Sequence, residues 1–281
     1  MNESKSTLPP IALLGGIEPH AQLMSLPPEN QLLYKVMTVE NLLRSIANNY
    51  LHFNRVDSYS DFANADENDG QQLPTDQPFN AASKFQKAPK FSAANYYDKC
   101  RSRTYACSFS TVNSAYIWKN YGNGSEKGKV CIVFDFAKLR AMLNSTLKPE
   151  GVALLYEGNL CHQIFSINYG LVNYVPWATY QANVKHLPNP ILYTYLKDRD
   201  SFQEEQELRI ALSAIGIGHF ALQDGSLIEF PKSLQFGFNF HNAFAANAIK
   251  DILLSPNSDS SFLMGELSKL RIEPAPSTEK K

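Results

Sequence analysis

The stretch Glu204-Glu205-Gln206-Glu207-Leu208-Arg209-Ile210-Ala211-Leu212 sets charged residues against apolar ones at a spacing of two. That is the period of a β-strand, in which alternate side chains share a face. Glu205, Glu207 and Arg209 are therefore expected to project together, with Leu208 and Ile210 on the other side. Two carboxylates and a guanidinium on one strand face have two physical outcomes. Either they form a salt-bridged face, or they form the floor of an active site.

The rest of the chain gives that strand a folded setting. Of 281 residues, 44% are hydrophobic and 19% charged, a balance that builds a core rather than a disordered chain. The net charge of −1 excludes a global pull toward nucleic acid or membrane, so such binding must be local. No apolar run approaches the length of a bilayer span, and Met1-Asn2-Glu3-Ser4-Lys5 lacks the layout of a signal peptide. Cys100, Cys107, Cys131 and Cys161 form no C-x-x-C pair and have no histidine at ligand spacing. A cytoplasmic protein with reduced thiols, no metal site and no membrane partner is expected.

Residues 1–30 read as an N-terminal arm, 31–272 as a single domain and 273–281 as a tail. Thr38 is placed to cap a helix carrying Val39, Leu42, Leu43 and Ile46 at helical spacing. Residues 60–103 read as one long polar loop. Its first half is acidic (Asp61, Asp66, Glu67, Asp69, Asp76), and the cluster at 66–69 reads as solvated. Its second half interleaves Lys84, Lys87, Lys90, Lys99, Arg101 and Arg103 with Phe85, Phe91, Tyr96 and Tyr97. Such a segment reads as a mobile solvated loop or as one that contacts a nucleic-acid backbone while stacking bases. Strands are expected at 104–110, 129–136 and 205–214, and helices at 113–121 and 189–198. Strands outnumber helices without alternating regularly, which favours α+β over a doubly wound sheet.

Several segments, in order, resemble the bacterial domain-of-unknown-function family 2971. They are Leu33-Tyr34-Lys35, Asn41-Leu42-Leu43-Arg44-Ser45-Ile46, Tyr59-Ser60-Asp61-Phe62, Cys107-Ser108-Phe109-Ser110, Trp118-Lys119-Asn120-Tyr121, Gly128 to Asp135, and the E-x-E-x-R strand. The resemblance covers roughly residues 32–255. Ser60 stands where the family usually has Asn, and Phe202 where a Trp is expected. More distantly, the layout is similar to ADP-ribosyltransferase folds, which implies a mixed, mostly antiparallel split β-sheet with flanking helices.

That resemblance implies an NAD-dependent ADP-ribosyltransferase, of the kind found among bacterial toxins and phage-defence effectors. A cognate antitoxin or regulator would then be a partner, and the acceptor would be RNA, DNA or protein. NAD would be the cosubstrate. Breaking the nicotinamide–ribose bond develops positive charge on the sugar, which a carboxylate stabilises. Glu207 is the candidate for that role and Glu205 for the base that prepares the acceptor, one pKa of the close pair being pushed up. Tyr34, Lys35, Ser108, Ser110, Thr111 and Asp61 are candidates for holding NAD. Lys87, Lys90, Arg101 and Arg103 are candidates for holding the acceptor. Each residue also has an ordinary reading: ion pairs for the glutamates, a strand edge for Lys35, helix caps for Ser110 and Thr111. Trp118 and Tyr121, three apart on one helix face, read as core or as a platform for nicotinamide. The alternatives to a transferase are a non-catalytic binding module and an NAD glycohydrolase.

Overall fold

The computed structural model describes residues 24–61, 65–146, 154–156, 159–160, 165–181, 190–214, 219–222 and 225–272. The expected tail, most of the expected arm, and Cys161 lie outside them. The chain enters on β1 (Leu32–Thr38) and turns at once into α1 (Val39–Ala47). Thr38 makes that turn possible, because its hydroxyl accepts the Asn41 N–H at 3.1 Å. Val39, Leu42 and Ile46 then bury the inner stripe of α1.

A ten-stranded sheet forms the body, with every described pairing in it antiparallel. Its hub is β5 (Thr104–Ser110). One edge of β5 pairs along its whole length with β12 (Glu207–Ala214), which pairs in turn with β9 (Phe165–Leu171). The other edge is divided. At one end Ser110 opposes Tyr34, joining β1, β6 (Lys129–Asp135) and β16 (Ile249–Leu254). At the other end Tyr105 and Ala106 oppose β2 (Tyr50–Arg55), which leads to β15 (Ser233–Gly237), β7 (Leu154–Tyr156) and β8 (Asn159–Leu160). The sheet therefore forks at β5. Ser108 lies in the fork, and its carbonyl accepts Lys35 Nζ at 2.9 Å.

The mixed α+β class and the mostly antiparallel sheet expected from the sequence are present. The main core covers one face of the fork, with Leu33, Phe109, Phe134, Leu208, Ile210 and Phe236 among its members. α5 (Phe136–Thr146), α7 (Phe240–Ala245) and α8 (Ser260–Lys269) supply further core residues.

The segment 60–103 is not one irregular loop. It contains α2 (Gln77–Ala82), a hairpin of β3 (Lys84–Phe85) and β4 (Ala88–Ser92), and α3 (Ala93–Arg101). α3 opens on a reciprocal cap between Ser92 and Asn95. Leu73 and Tyr97 from this segment pack with Val175, Tyr193 and Leu196 in a second hydrophobic cluster. Val175 lies on β10 (Asn173–Val175) and Leu196 on β11 (Leu196–Asp198), which pair in parallel. The expected helix at 189–198 is instead a 3-10 turn, Pro190–Tyr195, followed by β11. Proline fits the first turn, but the β10 ladder takes the rest of the segment.

Candidate functional site

Register decides which predicted residues meet. Residues directly opposite in an antiparallel pair share a face. Tyr34 opposes Ser110, and Ser110 opposes Glu207, so the three form one rung across β1, β5 and β12 at the fork. Ser108 and Arg209 form the next rung on the same face. Lys35 does not join them. Strand alternation turns it to the core face, where its ammonium stands 5.0 Å from the Phe109 ring centre and caps the Ser108 carbonyl. Its predicted place beside Tyr34 at a ligand is not the one it occupies.

Glu205 also differs from expectation. The strand begins at Glu207; Glu205 ends a 3-10 turn, Gln203–Glu205. Gln206 between them is left-handed, at φ 42° and ψ 56°. The kink breaks the alternation, yet Glu205 still reaches the same charge cluster through the turn. Ser110 and Thr111 hold that turn. Ser110 Oγ donates to the Glu205 carbonyl at 2.8 Å, and Thr111 Oγ1 to the Gln206 carbonyl at 2.9 Å. Neither caps the following helix α4 (Ala115–Asn120), which Ser114 caps.

The charged face is buried. Glu207 is 4% exposed and Arg209 1%. Arg209 uses all five of its N–H donors. Nε and Nη2 bond the two oxygens of Glu207 at 2.7 and 3.0 Å, and Nη1 and Nη2 bond the two oxygens of Asp69 at 2.6 and 2.8 Å. The fifth goes from Nη1 to the Thr194 carbonyl at 2.6 Å. This planar fork between two carboxylates is a geometry that lysine cannot supply. Lys197, from the middle of β11, bonds Glu205 at 2.7 Å and Glu207 at 3.0 Å, and lies 4.0 Å from Asp69. Tyr121 donates its hydroxyl to the other oxygen of Glu205. The Glu207 N–H donates to the Tyr174 hydroxyl at 2.8 Å.

These contacts set the protonation states. Burial raises the Glu207 pKa, but Arg209 and Lys197 outweigh it, with a bond from Ser108 added, and hold the carboxyl well below the usual range. The upward push expected for one of two close carboxylates is not what Glu207 shows, because Arg209 at 2.7 Å and Lys197 at 3.0 Å favour its charged form. Burial lowers Lys197, but Glu207 and Glu205 outweigh it and keep the ammonium charged. Burial, and then the Glu205 charge, keep Tyr121 protonated as a donor. Asp66 is the exception. Burial, and then the Asp69 charge, push it up to about 6, and its buried Oδ2 has no hydrogen-bond partner among the described residues.

Asp69, Lys197 and Tyr174 were not legible as site residues, and Tyr121 reads in sequence as core or as a nicotinamide platform rather than as a partner of Glu205. Asp69 reads in sequence as part of a solvated acidic loop, and Lys197 follows an apolar run. The one available signal was loop length, since a long insertion in a compact domain has to cover something. Asp61 ends a 3-10 turn, Val56–Asp61, and its side chain lies outside the description. Trp118 is only half-buried, its indole N–H donating to Asn113 at 2.7 Å, and Tyr121 is 41% exposed, so α4 does not place this pair in the core. Among the four acceptor candidates, Lys87 and Lys90 are exposed. Arg101 instead bonds the Asp69 and Glu67 carbonyls at 2.7 and 2.6 Å, and Arg103 is buried against Lys99 and Cys100. Both arginines hold the insertion together rather than face a partner.

An open groove of about 870 Å³ lies elsewhere, against β16 and the turn 122–128, lined by Trp118, Asn123, Lys129, Leu254 and Asn257. It shares no residue with the rung. Cys100, Cys107 and Cys131 are buried free thiols, and among the described residues no cluster of ligating side chains could hold a metal. No described helix is long and apolar enough to cross a membrane. Comparison of the chain with protein-family models, curated proteins and solved structures finds no match.

Proposed function

We propose that the chain transfers ADP-ribose from NAD to a macromolecular acceptor, as the toxin and phage-defence proteins implied by its motif series do. The observation that supports this reading is the rung of Tyr34, Ser110 and Glu207 at the fork. It gathers an aromatic ring, a hydroxyl and an ionised carboxylate from three distant segments of the sequence. Bond breaking would release neutral nicotinamide with the C–N electron pair and leave an oxocarbenium-like ribose. A carboxylate held ionised is suited to stabilising that charge. It is not suited to proton abstraction, so Glu207 acts electrostatically. Lys197 would have to leave the Glu207 oxygen for a ribose to approach.

That requirement favours a second reading: a binding module in which the charged strand is an interior ion-pair network. Its specific support is that both Glu207 oxygens are occupied and all five Arg209 donors are used. Incubation with labelled NAD, with and without total nucleic acid or lysate, separates the two. Release of nicotinamide or transfer of label that disappears in a folded Glu207→Gln protein supports the transferase. Free ADP-ribose without transfer would make it a glycohydrolase. No release under any condition, together with a large loss of stability in Glu207→Gln, leaves the network reading.

A further inference from the structure

The insertion between β2 and β5 presents a surface that the buried cluster does not use. From Gln77 to Tyr97 the sequence contains no Asp or Glu and three lysines, in a chain whose net charge is −1. Those lysines, Lys84, Lys87 and Lys90, all lie exposed on the β3–β4 hairpin, and among the described residues none pairs with a carboxylate. The same insertion exposes aromatic rings on α2 and on the hairpin. Phe79 is 68% exposed and Phe85 is 45% exposed. Phe85 stands 5.6 Å from Phe91 and 6.4 Å from Tyr96 between ring centres, and Tyr96 continues to the buried Tyr97. The rings therefore form a chain anchored in the second hydrophobic cluster, with its outer members open to solvent.

We infer that this hairpin binds a single-stranded nucleic acid. Exposed phenylalanines exclude water poorly on their own and gain by stacking on a flat partner. Every unpaired base has such a face, and the lysines beside the rings meet the phosphates that connect the bases. Duplex nucleic acid hides its base faces and leaves the rings unused. A membrane surface fits less well. Interfacial insertion draws on one continuous apolar face of an amphipathic helix, built from Leu, Phe and Trp, whereas Lys84, Phe85 and Lys90 lie on a short two-stranded hairpin and Gln77 to Tyr97 contains no Leu, Ile, Val, Met or Trp. The inference deepens the transferase reading by naming the class of its acceptor, but binding is measured without NAD, so the two can fail separately.

The test is fluorescence anisotropy of the full chain with labelled twenty-nucleotide oligo-dT, oligo-U and a duplex of the same length, across a salt series, with phosphatidylserine vesicles as a further arm. Single strands should bind, tighter at low salt, and at least tenfold tighter than duplex. The comparison of oligo-dT with oligo-U tells which polynucleotide is preferred. Replacing Lys84, Lys87 and Lys90 together by Gln should flatten the slope of log K against log salt by about 2, since each phosphate contact contributes roughly 0.7 for single strands. Phe79→Ala with Phe85→Ala should weaken binding about tenfold or more while leaving that slope unchanged. All five positions are exposed, so circular dichroism and the melting temperature should stay at wild-type values. The inference is overturned by absence of single-strand binding at low salt, by preference for duplex, by binding to vesicles alone, or by affinity that neither variant changes.

Discussion

Asp66 and Arg209 show how differently two buried charged residues can be accommodated. Arg209 has a partner for every donor, whereas Asp66 has an oxygen with none among the described residues. A carboxyl whose folded pKa is raised binds a proton more tightly when folded than when unfolded. Its effect on stability is therefore least unfavourable at low pH, and the penalty is complete once pH has risen through about 6. Asp66→Asn keeps an oxygen for the Asn68 N–H that Asp66 accepts at 2.9 Å, and removes the charge. Urea unfolding should find the variant more stable than wild type by about 1–2 kcal/mol at pH 8, with the gap closing by pH 4. A gap that is the same at both values, or a variant less stable at pH 8, would show that the Asp66 charge is not what the fold resists.

At the scale of elements, the turn before β6 is the clearest case of backbone geometry choosing a residue. Gly128 sits at φ +91°, and a Cβ there would lie 2.6 Å from the Ser258 Cα. Its carbonyl also accepts the first N–H of α1 from Val39 at 3.1 Å. One small residue thus lets β6 start, α1 start and the 255–259 turn close against both. Gly128→Ala should cost about 2–4 kcal/mol, read as a lowered urea midpoint with an unchanged slope. A neutral result would mean that the 258 turn yields freely. The same motif series was partly legible from sequence. Thr38, α1 and the apolar β6 follow from local pattern, because capping and hydrophobic period are properties of neighbours in the chain. The end of β12 was not. Nothing in Glu205-Gln206-Glu207 announces a left-handed residue, since the kink answers to hydrogen bonds from Ser110 and Thr111, nearly a hundred residues away.

For the whole molecule, Arg209 is the tie between two layers. It stands on the β12 face and bonds the turn at Asp69 and the segment at Thr194, each of which belongs to the covering layer built around the second hydrophobic cluster. Removing it leaves Asp69 and Glu207 buried as unpaired charges, apart from Lys197. Arg209→Met should destabilise the protein by about 3–5 kcal/mol. Hydrogen exchange should quicken first in 66–80 and 190–198, while β1 and β6 keep their protection. Uniform quickening across the sheet would show that the layers do not open separately.

By itself, the sequence determined the class of the fold, the first helix and its cap, the main strands and the apolar face of β12, because each depends on residues within a few positions of one another. It also placed the basic and aromatic residues of the hairpin together. Only the tertiary structure decided that the charged face of β12 is covered rather than open. That outcome depends on Asp69, from the segment between β2 and β5, and Lys197, from β11, meeting over the strand 4.0 Å apart. Coulomb energy between buried charges is set by distance in space and not by separation in sequence. An alternating strand carries no record of which partners will close over it.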